Sequence, residues 1–335
     1  MIHRTGPAWQ TPEWQTALAQ AFTEPEALFE YLGLDRSRLP STLAASRRFR
    51  MKIPRSYAAL MTRGDPGDPL LRQVLPSAEE LLEVAGFCTD PVGDLATQEA
   101  PGLLHKYHGR ALLITTGACA VNCRYCFRRH YPYAGASAHR DGWRGALAYV
   151  AAHPEISEVI LSGGDPLTLS DQRLGELCHG LGRIPHLHRL RIHTRLPVLL
   201  PGRITKDLLT LIMSTGLQTV MVLHVNHPRE VTGELAGQMR LLGDAGITLL
   251  NQSVLLRGVN DRAATLVELS EALFSAGILP YYLHLLDRVE GAAHFEVERS
   301  GAHAIHEALK ARLPGYLVPR LVYEQAGAPS KIHMP

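Results

Sequence analysis

Three cysteines, Cys119, Cys123 and Cys126, fall within eight residues in the segment TTGACAVNCRYCFRRHYPY. Their spacing is C-x3-C-x2-C, and the other two cysteines, Cys88 and Cys178, lie far away in sequence. Soft thiolates on one short loop suit an iron–sulfur cluster or zinc. Three thiolates hold three irons of a cubane and leave the fourth iron open to the amino and carboxylate groups of a small molecule. Zinc wants four ligands, so His130 or a distant residue would have to complete such a site. Cys88 or Cys178 would instead complete a four-cysteine electron-transfer cluster. Buried thiols without any ligand fit poorly, because Arg124, Arg128, Arg129 and His130 make the loop polar and basic.

Other residues with chemical capacity are scattered along the chain. Gly163 and Gly164 in LSGGDPL let a backbone approach a ligand closely, and Asp165 adds a carboxylate. Arg195 in RIHTRLPV offers a planar fork suited to phosphate, or to a rim salt bridge. Asn251 and Gln252 open the apolar run NQSVLL, where buried amides need partners from a ligand or from backbone. His224, Asn226 and His227 crowd into HVNHPRE without an acidic partner that would make a metal motif. Lys331 stands four residues from the end, after a Gly-Ala-Pro-Ser stretch. A terminal lysine is usually a solvated charge, yet the strand-like run YLVPRLVY before it can anchor the tail. An amine so placed can link to pyridoxal phosphate.

The elements that must position these groups follow a repeating order. The short apolar runs ALLITT, EVILSGG, HRLRIHTR, TVMVLHV, ITLLNQSVL and ILPYYLHLL alternate with helix-like segments, several ending in glycine. Strand then helix, about six times over, predicts an α/β fold with a parallel sheet. Glycines and polar residues cluster where the strands end, the place where a barrel builds its active site. Residues 1–40 read as short helices, RRFRMKIPRSYAALM as a helix and GDPGDPLLRQVLPS as a loop. DPVGDLATQEAPGLLHKYHGR reads as a long ordered loop. The division expected is a mainly helical region 1–105, a barrel core 106–290, and a C-terminal helix, strand and lysine tail 291–335.

The net charge is +2, with 34 basic and 32 acidic residues, so nothing marks a nucleic-acid or anionic-membrane surface. The first 15 residues lack the apolar core of a signal peptide, and no stretch is apolar for long enough to span a bilayer. The cysteine pattern suits a reducing cytoplasm.

C-x3-C-x2-C with an aromatic before the third cysteine resembles the radical S-adenosylmethionine superfamily. That resemblance implies a partial (β/α) barrel of about six units with an N-terminal helical extension and a C-terminal segment closing the mouth. It also implies a [4Fe–4S] cluster, fed by an external electron donor, that cleaves S-adenosylmethionine to a 5′-deoxyadenosyl radical. The GGD turn resembles that family's GGE-like contact to the amino group of S-adenosylmethionine, with Asp165 in place of Glu. CAVNCRYCFRR, LSGGDPL, RIHTRLPV, LLNQSVLLRGVND, PYYLHLLD and GYLVP…PSK together resemble the lysine 2,3-aminomutase family from about residue 50 to 335.

This closer resemblance implies pyridoxal phosphate on Lys331, phosphate binding by Arg195 and substrate-carboxylate binding by Arg128. It assigns the ε-ammonium of lysine to Asp287 and Glu324, where Glu324 departs from the family's aspartate. Ile332 departs from the threonine usual after the lysine. LLRQVLPS, PGLLHKYHGR and the short end after Lys331 resemble the branch that makes (R)-β-lysine for elongation factor P, to which a separate ligase attaches it. The alternatives are a free-lysine enzyme serving other metabolism and a non-enzymatic, metal-stabilised binding module.

Overall fold

The structure, a computed structural model, describes residues 13–134 and 143–334. The reading of the first 12 residues lies outside that range. One sheet of ten strands organises the chain. Its strands are β1 (Gln98–Ala100), β2 (Leu103–Tyr107), β3 (Arg110–Thr116), β4 (Glu158–Gly163) and β5 (Arg189–Thr194). They continue with β6 (Gln218–Leu223), β7 (Thr248–Val254), β8 (Leu279–His284), β9 (Arg320–Tyr323) and β10 (Ile332–His333). Spatial order follows chain order, so each new strand adds beside the last. β3 to β9 are parallel, β1 and β2 run antiparallel on one edge, and β10 turns back antiparallel on β9.

The α/β expectation is met: the six apolar runs are β3 to β8, and a helix follows each. The helices start where local chemistry allows. Ser170, Thr205 and Thr232 accept backbone N–H bonds at the heads of Asp171–Gly182, Lys206–Met213 and Gly233–Asp244. Their apolar stripes pack on the outer side of the sheet in one continuous core, with Leu174, Leu208, Met239 and Leu269 buried. The sheet is an open, partial barrel whose other face lines a cavity of about 320 Å³. Side chains two apart along a strand share a face. Arg191 and His193 on β5, Gln252 and Val254 on β7, and Tyr282 and His284 on β8 therefore all line that cavity.

Several expected elements differ. The segment read as a long loop supplies the hairpin β1–β2, too short and too near the edge to show a period. RRFRMKIPRSYAALM is not one helix. Leu39–Arg48 ends at an extended Phe49, and Ile53 exchanges backbone hydrogen bonds with Phe22 at 2.8 and 2.9 Å. Pro54 accounts for the extended Ile53, since the residue before a proline is steered away from helix. Inside the expected loop, Asp68 caps the single turn Pro69–Arg72. The sheet runs from residue 98 to 333, across the boundaries expected at 105 and 290. No helix among the described residues is long and apolar enough to cross a membrane.

Candidate active site

The cysteine loop leaves β3 and is gripped by the N-terminal region. Asn122 donates through its backbone N–H to the Lys52 carbonyl at 3.2 Å and through Nδ2 to the Arg50 carbonyl at 2.8 Å. Lys52 Nζ donates to the Cys119 carbonyl at 3.0 Å. The decisive clamp is ionic. Glu80 takes the buried guanidiniums of Arg124 and Arg129 at 2.5 and 2.7 Å. Two of the loop's basic residues are thus anchors and never meet the cavity. Cys119, Cys123 and Cys126 do line it.

The glycine turn packs against this loop. A Cβ on Gly164 would lie 2.2 Å from the Ala118 carbonyl oxygen, and Gly163 has φ +114°. Both positions therefore exclude larger residues for reasons of backbone packing. The Asp165 carboxylate is not available for a ligand amine. It accepts from Thr194 Oγ1 and from the backbone N–H groups of Leu167, Arg195 and Leu196, at 2.7 to 3.0 Å. Asn251 is likewise no cofactor contact. Its amide closes on the Val225 backbone and on Ser253 Oγ, away from the cavity. Gln252, one residue on, faces the cavity and donates from Nε2 to His224 Nε2 at 2.8 Å. Arg195, expected to bind a phosphate, lies on the cavity wall with both terminal nitrogens bonded to protein groups and its buried Nε without a partner.

Lys331 arrives by the β9–β10 hairpin, where Ile332 pairs with Tyr323. Its Nζ donates to Glu324 Oε1. From there an alternating chain of charge runs along the cavity wall. Lys106 Nζ lies 3.7 Å from Glu324 Oε2 and 3.1 Å from Asp94 Oδ1, and Asp94 Oδ2 accepts from Arg128 Nε at 2.7 Å. Arg128 Nη1 donates to Ser162 Oγ at 3.1 Å, which leaves Nη2 without a protein hydrogen bond among the described residues.

No family model matches the chain. L-lysine 2,3-aminomutase of Escherichia coli (strain K12) is 50% identical over 320 residues, covering 95% of this chain and 93% of that protein. The enzyme of the same name from Haemophilus influenzae is 48% identical over 95% of this chain and 94% of its own length. That from Clostridium subterminale is 35% identical over 95% of this chain and 77% of its own. The chain belongs to the L-lysine 2,3-aminomutase family. It is an enzyme, and its reaction is an isomerisation.

The aminomutase cavity fits the groups this family implies. Burial first, and then the neighbouring thiols, push Cys119 well above the usual thiol range. Cys126 is pushed up to about 11, again by burial before Cys123. Such thiols need a bound cation to become thiolates. Among the described residues, no three metal-binding side chains converge as a single ion requires. A cubane, which gives each thiolate its own iron, does not need that convergence. His193 Nε2 and His284 Nε2 are buried in the cavity wall without a hydrogen-bond partner. Orphaned polar atoms of this kind call for a polar ligand. Burial, then neighbouring positive or imidazole groups, hold both histidines neutral, and His224 is lowered to about 3.

Asp94, Lys106, His193 and His284 were not singled out from sequence as site residues, whereas His224 was noted in HVNHPRE. For His193 and His284 the period of two along β5 and β8 was the available signal, since it puts polar side chains on one face of otherwise apolar strands.

Two cavity carboxyls have been pushed apart. Burial opposes charge on Glu324, but Lys331 and then Lys106 hold it below the usual range. Asp287 is pushed up to about 7, by burial and then by the charge of Glu324. Pairs of this kind divide roles. A cation that pairs with Asp287 needs it ionised, so binding of a diammonium ligand should strengthen as pH rises through 7 and level off above. Calorimetry from pH 6 to 8 should show proton release at the low end. Asp287→Asn should remove the pH dependence, and a profile equally steep in that variant would assign it elsewhere.

Proposed function

We propose that this enzyme isomerises (S)-α-lysine to (R)-β-lysine by moving the amino group from C2 to C3. It does so with a [4Fe–4S] cluster, S-adenosylmethionine and pyridoxal phosphate. One observation carries the reading: the β9–β10 hairpin brings Lys331 to the same cavity that Cys119, Cys123 and Cys126 line. When bound, these groups supply one-electron reduction, a hydrogen-abstracting radical and a carbonyl that links to amines.

The chain's own residues supply position. Cys119, Cys123 and Cys126 would hold three irons, and Lys331 would hold pyridoxal phosphate. Gly163 and Gly164 would let backbone groups meet S-adenosylmethionine, and Gln252 on the cavity wall would meet a bound cofactor. Arg128 meets the substrate carboxylate through its unbonded Nη2, while Asp94 fixes the orientation of the guanidinium. Asp287 and Glu324 hold the distant ammonium, and two carboxylates around one cation disfavour an uncharged side chain there. Lys106 is bonded to Asp94 and faces Glu324, so it balances the acidic end until substrate enters. The barrel walls keep water from the reacting atoms.

An external one-electron donor feeds the cluster, and the product goes to elongation factor P through a separate ligase. Support for that partner is the branch resemblance of LLRQVLPS, PGLLHKYHGR and NCRYCFRRHYPY.

Anaerobic reconstitution should give about four irons per chain. Cys119→Ala, Cys123→Ala and Cys126→Ala should each abolish cleavage of S-adenosylmethionine, and Cys88→Ala or Cys178→Ala should not. A cluster ligated by Cys88 or Cys178 would contradict the open iron. Asp287→Asn and Glu324→Gln should weaken use of lysine far more than binding of S-adenosylmethionine. Adding elongation factor P and its ligase tests the destination by the mass gained on the factor. Abundant β-lysine without preferential transfer would remove that partner and keep the isomerase.

A further inference from the structure

Arg195 belongs to a buried polar network that ends on Cys123. Only 6% of the residue is exposed. Its Nη1 donates to Cys123 Sγ at 2.8 Å and to Tyr125 Oη at 2.7 Å. Its Nη2 donates to Glu230 Oε1 at 2.6 Å, to Gln73 Oε1 at 2.7 Å and to Tyr57 Oη at 3.1 Å.

Each partner is itself held. Tyr57 donates to Glu230 Oε1 at 2.7 Å, and Glu230 Oε2 accepts from the backbone N–H groups of Asn226 and His227. Asn226 Nδ2 donates to Gln73 Oε1 at 3.0 Å and to Tyr125 Oη at 2.7 Å. The Tyr125 oxygen thus accepts from Arg195 and from Asn226, which fixes it beside the Arg195 guanidinium. One thiol therefore receives an N–H from a permanent cation that is itself held by a buried network.

We infer that Arg195, oriented by Tyr125, is a positioning residue that raises the reduction potential of the cluster through Cys123, with Glu230 partly offsetting the Arg195 charge. The inference rests on reading Cys123 as a cluster ligand. Reduction adds one electron from an external donor and leaves the cluster more negative by one charge. Hydrogen bonds to ligand sulfur and nearby positive charge favour the reduced state, and both are recognised levers on cluster potential. The network is buried, so the charge is weakly screened. Arg195 stays protonated in both redox states.

The test is a potentiometric titration of the reconstituted holoenzyme with dithionite, followed by EPR, in the wild type, Arg195→Lys, Arg195→Gln, Tyr125→Phe and Glu230→Gln. Arg195→Gln should lower the equilibrium constant for reduction about tenfold, a midpoint about 59 mV more negative for one electron. Tyr125→Phe should move it less in the same direction, and Arg195→Lys should recover part of the loss. Glu230→Gln removes the counter-charge and should move the midpoint the opposite way. A purely structural network would alter stability but not produce shifts of opposite sign.

Midpoints that coincide with the wild type at equal iron content would overturn the inference. So would a Glu230→Gln shift in the same direction as Arg195→Gln. If Arg195→Gln retains no cluster, the opposite signs expected for Tyr125→Phe and Glu230→Gln decide. A wild-type protein that takes up no iron would instead refute the cysteine reading and the inference with it.

Discussion

Lys331→Ala is expected to abolish turnover while leaving the cluster and its cleavage of S-adenosylmethionine intact. Lys331 is the cavity amine on the β9–β10 hairpin, and its partner Glu324 is fixed on the chain just past β9. Losing a positioned catalytic group costs on the order of 10²–10⁴-fold in rate. The variant should also lose the borohydride-trapped pyridoxyl label, which peptide mapping of the wild type should find on Lys331. A label on Lys106, the other lysine of this cavity, would move the assignment across the wall. The variant has a second consequence. Glu324 keeps its charge against burial chiefly through Lys331, so its carboxyl should titrate higher once that amine is gone.

Glu80→Ala is expected to be among the most destabilising single changes in the chain, although Glu80 lies outside the cavity. The change leaves the side chains of Arg124 and Arg129, 0% and 3% exposed, without their shared carboxylate. Removing one partner of a buried ion pair costs about 3–5 kcal/mol. Denaturant unfolding of the metal-free protein should show a lower midpoint with an unchanged slope. The functional effect should follow from position. Arg124 also donates to the Phe49 carbonyl, so the residue just after Cys123 pins the ligand loop to the N-terminal region. Iron uptake should fall in the folded fraction too. Glu80→Gln, which keeps acceptor oxygen on one side, should lose less on both counts. Unchanged stability in Glu80→Ala would mean that the clamp contributes nothing.

Much of this architecture is legible in the sequence because β3 to β8 are short apolar runs bounded by glycine-ended helices, a pattern set by local physics. The C-x3-C-x2-C loop is legible for the same reason, its ligands being neighbours in sequence. What escaped are contacts between distant segments. Asp165 and Arg195 look like ligand-binding groups in isolation. In the fold they meet four donors and a five-member polar network, and both become internal scaffolding. Asn251 and Gln252 were read together, yet the strand period sends them to opposite faces, one to the Val225 backbone and one to the cavity. The hairpin β1–β2, which carries Lys106, was hidden because five residues on a sheet edge show too little alternation to detect. The role of Asp94 depends on a loop fold that no periodicity encodes.

The most direct test follows the migrating nitrogen. The reconstituted, reduced enzyme is given (S)-lysine labelled with ¹⁵N at the α-amino group, and the product is separated on a chiral column and read by NMR. The expected product is (R)-β-lysine with the label on C3 and none on C2. Formation of 5′-deoxyadenosine with the ¹⁵N still on C2, or with the label lost to solvent, would contradict it.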